Sequence, residues 1–399
     1  MRPSRTAGLL ALGAAGAICL PPLAAGAGAA AASPQASPPI GRQLAELRGS
    51  GTVDGDMFGY AAAISGTTAV VGAYGHARFA GRAYVFTRTA AGWRQAASLT
   101  GAGTVTGDGF GTSVAASGTT VVVGASGHGN NSGRAYVFTK TRTGWRQAAR
   151  LQVAGGRSND FFGAAVAVSG THAVVGAWGA AKDAGRAYVF SKTAAGWRQA
   201  AVLKGSDSAA NDFFGASVAI SGSTAVVGAP GPGTGADRAY VFTRTSTGWK
   251  QTAELKGADT VAGDAFGYSV AVSGGTAVVG AYGHARFAGR AYVFSKTKTG
   301  WKQAAELASS DARAGDMFGY RVAISGTTAV VGALNHANYS GRAYVFIKTA
   351  AGWTQAAELK GSDTVAGDEF GSSVAIWGTT AVVGAPGRAG SGRAYVFEG

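Results

Sequence analysis

The chain is written in short apolar and polar alternations, with no helical stripe anywhere along it. Between Phe266 and Leu307 four such stretches follow one another: Phe266–Ser273, Thr276–Ala281, Arg290–Phe294 and Trp301–Leu307. The first alternates apolar with small or polar residues, and the second is β-branched and apolar. Gly, Ser, Thr or Asp punctuate the joins, so the pattern predicts four short antiparallel strands. It then recurs. Phe-Gly pairs stand at Phe58-Gly59, Phe110-Gly111, Phe162-Gly163, Phe214-Gly215, Phe266-Gly267, Phe318-Gly319 and Phe370-Gly371, always 52 residues apart. A fixed period of that length marks a repeat architecture.

Four antiparallel strands repeated radially describe a β-propeller blade. A stacked solenoid competes with that reading, and the chain ends choose between them. Residues Gln43 to Leu47 fall in register with Gln95 to Leu99, the fourth strand of a repeat, whereas Arg393 to Phe397 form the third strand of the seventh. The chain thus begins with the strand that its end lacks. Pairing the two closes a ring of seven blades and removes the sheet ends that a solenoid must cap. Trp93, Trp145, Trp197, Trp249, Trp301 and Trp353 open the fourth strand of six repeats, and Gly41 stands there in the seventh. The closing strand is therefore expected to be the weakest. The expected fold is an all-β, seven-bladed propeller over residues 42–399.

Seven copies of Phe-Gly, Val-Val-Gly-Ala (or a close variant) and Tyr-Val-Phe resemble the FG-GAP family, the blades of integrin α-subunit propellers and of many secreted bacterial proteins. The resemblance spans about residues 42–398. It implies a seven-bladed propeller outside the cell, used for adhesion or ligand binding. One departure matters. Calcium-binding members carry an Asp-rich loop between the first two strands, whereas here that turn is Ser65-Gly66-Thr67-Thr68 or its equivalents, with no carboxylate in any repeat. Hard cations need several oxygen ligands from one loop, so no calcium, other metal or cofactor is expected.

Composition adds a compartment. Met1 to about Ala32 reads as a secretory signal peptide: Arg2 and Arg5 at the start, an apolar run from Leu9 to Leu20, and Ala30-Ala31-Ala32 as the cleavage candidate. Pro21-Pro22 interrupts the run, which speaks against a membrane anchor, and Ile18 is bulky for a lipoprotein site at Cys19. Residues 33–41 read as a flexible lead-in. Cys19 is the only cysteine of 399 residues, so the exported chain would have no disulfide. A secreted or cell-surface monomer without a membrane span is the expectation.

Two rings of charge repeat with the blades. Asp56, Asp108, Asp160, Asp212, Asp264, Asp316 and Asp368 precede the Phe by two residues, and Arg82, Arg134, Arg186, Arg238, Arg290, Arg342 and Arg393 open the third strand. Up-and-down topology puts both on one face, so each Asp is expected to cap its own turn and pair with Arg. An anion or sugar site at every blade interface is the alternative. Function is better sought where the repeats differ, in the loops after Val-Val-Gly-Ala. Those loops offer Tyr74, His76, Arg78 and Phe79, then His128 and Asn130, then Trp178; Tyr282, His284, Arg286 and Phe287; and His336 and Tyr339. Aromatics beside Arg, His and Asn suit stacking on a glycan or protein while hydrogen-bonding its polar groups. Tolerant loop tips packed on their own blades would look similar. The four histidines share one repeat position, so a ring spreads them too far apart to hold one metal.

The chain carries +15, or +13 with Arg2 and Arg5 set aside. Much of the excess sits in the hairpins joining strands three and four: Arg88, Arg94, Lys140, Arg142, Arg146, Lys192, Arg198, Arg244, Lys250, Lys296, Lys298, Lys302 and Lys348, with no acid among them. This forms a basic rim opposite the variable loops. It suits an anionic cell-wall polymer or acidic polysaccharide, and it equally protects outer edge strands from stray pairing. Nucleic acid is not indicated for an exported chain without a recognition motif. Nor is an enzyme: no nucleophile elbow, helix-borne His pair or phosphate-cradling loop occurs. The reading is a binding or adhesion module. A glycan hydrolase using two carboxylates of the central funnel, with Asp54 as the only asymmetric candidate, is the alternative, and a structural envelope protein without a ligand is the third.

Overall fold

The computed structural model describes residues 40–232 and 237–399. The leader through about Ala32 and nearly all of the lead-in lie outside the described residues. Seven four-stranded antiparallel sheets make the seven blades of a propeller. In blade five the strands are Ser269–Ser273, Thr276–Ala281, Arg290–Thr297 and Gly300–Leu307. The second matches its expected bounds, the first starts later and the third runs further. Ala265 and Gly267 flank Phe266 at φ +56° and +94°, so the backbone turns on both sides of it. The third strand gains residues through its hairpin, where the Thr297 hydroxyl donates to the Gly300 carbonyl at 2.8 Å.

The ring closes as the chain ends require. Arg42–Leu47 pairs antiparallel with Arg393–Glu398, completing the sheet of Ser373–Trp377 and Thr380–Ala385. This fourth strand has six residues where the others have eight, and it keeps the register slip that all the fourth strands show, here between Gln43 and Ala45. Ile40 compensates for the missing Trp by packing into the core beside Phe397. Gln43 repeats a bond seen in other blades, accepting from the Ser362 amide at 2.9 Å.

The hydrophobic cores lie between blades. Phe266 packs with Val270, Val279 and Tyr292 of its own blade and with Val226, Val241 and Leu255 of the preceding one, and six further clusters repeat this arrangement. Its ring is fully buried, 5.5 Å from that of Tyr292 and 6.1 Å from that of Phe294. The glycine after it serves the same seam. A Cβ on Gly280, in the second strand, would strike the carbonyl of Gly319 in the next blade, so adjacent blades touch there through bare backbone. A second girdle lies at the hairpin end, where serines at the close of the first strand accept from a glycine amide of the following blade, as Ser65 does from Gly118 at 3.0 Å. Trp377 replaces that serine in blade seven and stands half exposed.

Phe266→Ala empties the wedge between blades four and five and is expected to cost about 3–5 kcal/mol. Urea unfolding of the full chain measures it. A loss below about 1 kcal/mol would show that the wedge is not what holds the blades together.

Candidate functional site

The connectors that enter the first strands and the loops between strands two and three share one end of the ring. Their frame repeats in every blade. Each of the seven aspartates accepts a hydrogen bond from the amide three residues earlier, as Asp264 does from Val261 at 2.9 Å and Asp56 from Val53 at 2.9 Å. The expected turn cap is therefore present. The expected pairing with the arginine ring is not. Arg290 donates instead to Glu306 at 2.7 Å, Arg342 to Glu358 at 2.6 Å and Arg393 to Glu46 at 2.8 Å, while Arg238 meets Glu254 at 3.0 Å. The reason is register: the start of the third strand lies across from the end of the fourth, one residue from the glutamate.

The aspartates bind histidine. His76, His128, His284 and His336 present Nδ1 to Oδ2 of Asp56, Asp108, Asp264 and Asp316 at 2.7, 2.7, 2.9 and 3.0 Å. Because the carboxylate accepts, Nδ1 carries the proton. These histidines turn inward onto the aspartates and are mostly buried, so only an edge of each ring remains on the loop face where ligand contacts were expected. In blade seven Arg388 takes the same place, 2.8 Å from Asp363 and 3.5 Å from Asp368. Sequence reasoning missed Asp207, Asp259, Asp311 and Asp363, whose carboxylates accept from the buried hydroxyls of Tyr240, Tyr292, Tyr344 and Tyr395 at 2.7–2.8 Å. Their signal was there: four acids at one repeat position.

Asp259, His284 and Glu306 bring possible ligand atoms within 4.8 Å of one another, a convergence inside one blade that the ring argument overlooked. Each is already engaged. His284 serves Asp264, Asp259 serves Tyr292, and Glu306 holds the Arg290 guanidinium, whose charge opposes a second cation on that carboxylate. The set is read as a hydrogen-bond network.

The loop after the second strand forms a short left-handed turn. Ala77, Arg78 and Phe79 have φ of +51°, +58° and +65°, and Ala285, Arg286 and Phe287, like Ala337, Asn338 and Tyr339, repeat them. Left-handed backbone costs roughly 1–2 kcal/mol per non-glycine residue. The turn is held by its own bonds, such as Phe79 N–H to the Gly75 carbonyl at 3.0 Å, and by the next blade, whose Gly109 amide donates to the Phe79 carbonyl at 2.7 Å. The strain is structural, since it recurs around the ring, but it pushes the side chains outward. Phe79, Phe287 and Tyr339 are 52%, 47% and 53% exposed, and Arg78, Asn130 and Arg286 are exposed beside them or at the matching place. Tyr74 and Tyr282 lie half-buried beneath, 5.8 and 6.2 Å from Phe79 and Phe287. Trp178 stacks on Phe161 at 4.3 Å instead.

Inside this circle opens the central channel, a cavity of about 680 Å³. No carboxylate is among the described residues that line it, and six of the seven ring aspartates, all but Asp160, are buried in the turns. Asp54 is exposed and packs against Gly390 at the closing seam. Arg321 is the one charged lining residue. Its repeat position otherwise holds Ala61, Ser113, Ala165, Ser217, Ser269 and Ser373, an anomaly visible in the sequence but passed over there. The guanidinium lies 4.5 and 5.2 Å from the ring centres of Tyr320 and Tyr268, and Nη1 donates to the Tyr320 carbonyl at 3.0 Å. Burial pushes the Tyr268 phenol up, but the Arg321 charge and hydrogen bonds from Tyr320 and Arg321 outweigh it and hold the phenol below its usual 10.

On the opposite face the rim residues are all exposed. The fold also places an acid among them: Arg88 grips Glu398 of blade seven at 2.6 and 3.0 Å, so the rim is partly neutralised at the closing seam. Arg244 donates to Nε2 of His172 at 3.1 Å.

With this geometry in view, comparison is decisive for the family. A family model described as FG-GAP repeat matches residues 42–86, 93–138, 145–190, 197–242, 249–294, 301–346 and 353–397. The chain belongs to the FG-GAP repeat family. Each matched FG-GAP unit runs from the fourth strand of one blade to the third strand of the next, so the sequence repeat is offset from the structural blade. The crystal structure of Sqt1 from Saccharomyces cerevisiae is similar at 12% identity, with 90% of this chain and 99% of that chain covered and a TM-score of 0.47. No curated protein matches the chain. FG-GAP propellers are binding or adhesion-type modules, and no helix among the described residues is long and apolar enough to cross a membrane.

Blade four breaks the FG-GAP frame once. Where six blades place glycine before the third strand (Gly81, Gly133, Gly185, Gly289, Gly341 and Gly392), it has Asp237, buried and at φ +62°. Those six glycines bridge to the Phe of the next blade; Asp237 does not, because its Cβ occupies the approach. Burial raises its carboxyl from 3.8 to about 6, against the hydrogen bond from the Gly263 amide and with help from the Asp264 charge. The proton is thus held more tightly in the folded chain. Folding is favoured most below the unfolded value, and that stability is lost as pH rises from about 4 through 6, on the order of 3 kcal/mol in all. Asp237→Gly is expected to raise the melting temperature at pH 7, with the gain shrinking as pH falls to 4; a pH-independent difference would refute the charge argument.

Proposed function

We propose that this FG-GAP propeller is an exported binding module whose loop face takes an extracellular protein or glycan, while the basic rim holds it to an anionic surface such as a cell-wall polymer. The observation that carries the reading is the uneven decoration of an even frame. The left-handed turns repeat around the ring, yet their exposed aromatics fall in blades five, six and one. Phe79, Phe287 and Tyr339, flanked by Arg78, Arg286 and Asn338, give an arc of apolar rings beside hydrogen-bond donors. Such an arc suits a ligand with both a flat face and polar groups. A fixed backbone lowers the entropy lost when the face is covered. The leader pattern supports export, and thirteen exposed cations on the other face support attachment to polyanions.

Co-sedimentation of residues 33–399 with purified cell-wall material tests both faces. Binding is expected at low salt, to weaken at moderately high salt and to ignore chelator. Neutralising Lys296, Lys298 and Lys302 together should weaken it severalfold. The triple change Phe79→Ala, Phe287→Ala, Tyr339→Ala should abolish what remains at high salt. No binding at low salt would sink the attachment to polyanions, and unchanged binding by the triple variant would sink the loop face.

A further inference from the structure

The channel mouth is more specialised than the loop tips around it. Tyrosine holds one repeat position in blades five, six and one (Tyr268, Tyr320 and Tyr60), with Ser372 between the last two, while the equivalent residues of blades three and four are Ala164 and Ala216. The space left by those alanines is lined by Phe161, Trp178 and Phe213, the first two stacked within 7° of parallel. One side of the cavity is therefore phenolic and the other is a flat apolar wall. Arg321 stands on the phenolic side.

This arginine has no counter-ion among the described residues. Its electrostatic neighbours are Tyr268, Tyr320 and Tyr60, and it forms none of the ion pairs found among the described residues. Glu369 and Asp237 act on Tyr74 and Tyr282, and neither is among the groups that act on Arg321. Of five guanidinium N–H donors, one bonds to the Tyr320 carbonyl and another to the Tyr268 phenol. The remainder open into the cavity, since none is both buried and unpartnered. A structural arginine at the first strand would be expected to meet a carboxylate, as those opening the third strand do in four blades. The tyrosine faces supply a weaker substitute and leave part of the fork free. A fixed guanidinium in a walled channel focuses its field on whatever anion enters and matches a carboxylate through two parallel hydrogen bonds.

We infer that the channel mouth is a binding site for a small carboxylate borne on a ring, with Arg321 gripping the carboxylate and the Phe161–Trp178 wall stacking on the ring. The Tyr268 phenol, which lines the cavity and lies 3.2 Å from that of Tyr320, stands ready to bond to ring hydroxyls or to the second carboxylate oxygen. A cavity of about 680 Å³ accommodates one or two rings. The site lies inside the circle of loop tips and goes beyond the loop-face reading, so either can fail alone. The same chemistry is offered by an acidic sugar and by an aromatic carboxylate.

Calorimetric titration of the full chain with glucuronate and with benzoate separates the two sources, with glucose and benzyl alcohol as neutral counterparts. At least one acid should bind while its neutral counterpart does not. Arg321→Ser should weaken that binding tenfold or more, and Arg321→Lys should recover only part, because it keeps the charge and loses the fork. Serine occupies this position in four other blades, so the variant should fold, and its urea midpoint checks this. Binding of glucuronate alone would assign an acidic sugar, and of benzoate alone an aromatic acid. Failure of both acids to bind at about 10 mM, or equal binding by a folded Arg321→Ser chain, would overturn the inference.

Discussion

Everything in this molecule depends on the contact between neighbouring blades. A single four-stranded sheet has two faces and nothing of its own to bury them against, so each hydrophobic cluster is drawn from two consecutive sheets. The Phe of the Phe-Gly pair fills the wedge where two twisted sheets diverge, and its glycine lets the backbones meet where they converge. Removing the side chain there leaves a cavity, and adding one elsewhere in the seam produces a clash. The repeat is long-lived in the sequence because one interface is used seven times. Closure of the ring follows from the same requirement: the first and last blades need a partner as much as any other, and Arg42–Leu47 supplies the missing strand.

The frame at the loop end is built from strained pieces. Left-handed turns and the positive φ of the residue before each Phe would be unfavourable alone. They persist because the carbonyls of one blade accept from the amides of the next, and because an aspartate ties its own turn and, in four blades, a histidine. The price is repaid around the ring, which is why these features belong to the scaffold. What the scaffold gains is rigid display. Side chains that differ from blade to blade are held outward on turns with little freedom, and the differences gather in the arc from blade five through blade one.

That arc makes the FG-GAP propeller asymmetric in a way its repeat conceals. The exposed aromatic tips, the phenolic wall of the channel and Arg321 all lie along it, opposite the flat wall of Trp178 and Phe161. A binding module built on a symmetric ring needs such a departure, because a ligand without sevenfold symmetry meets one sector and not the whole ring.

Period and register alone were enough to read the blade count, the strand order and the closing pair, because a fixed spacing of Phe-Gly cannot be satisfied by any structure that treats the repeats differently. The turn-capping role of the aspartates was also legible, being local in the chain. Partners chosen across strands or blades were not. His284 was expected at the surface and turned onto Asp264; Arg290 was expected on that aspartate and found Glu306, near the end of the neighbouring fourth strand; Arg88, read as part of an open rim, found Glu398 across the closing seam. The sign of φ at Phe79 and Met57 was hidden as well, since neither residue type favours it; at Phe79 the next blade's Gly109 amide helps to hold it there. Arg321 shows the boundary most plainly. Its oddness in a column of Ala and Ser was written in the chain, but that it enters a channel among tyrosines with no acid to meet it was decided by the ring, which brings seven distant first strands around one axis.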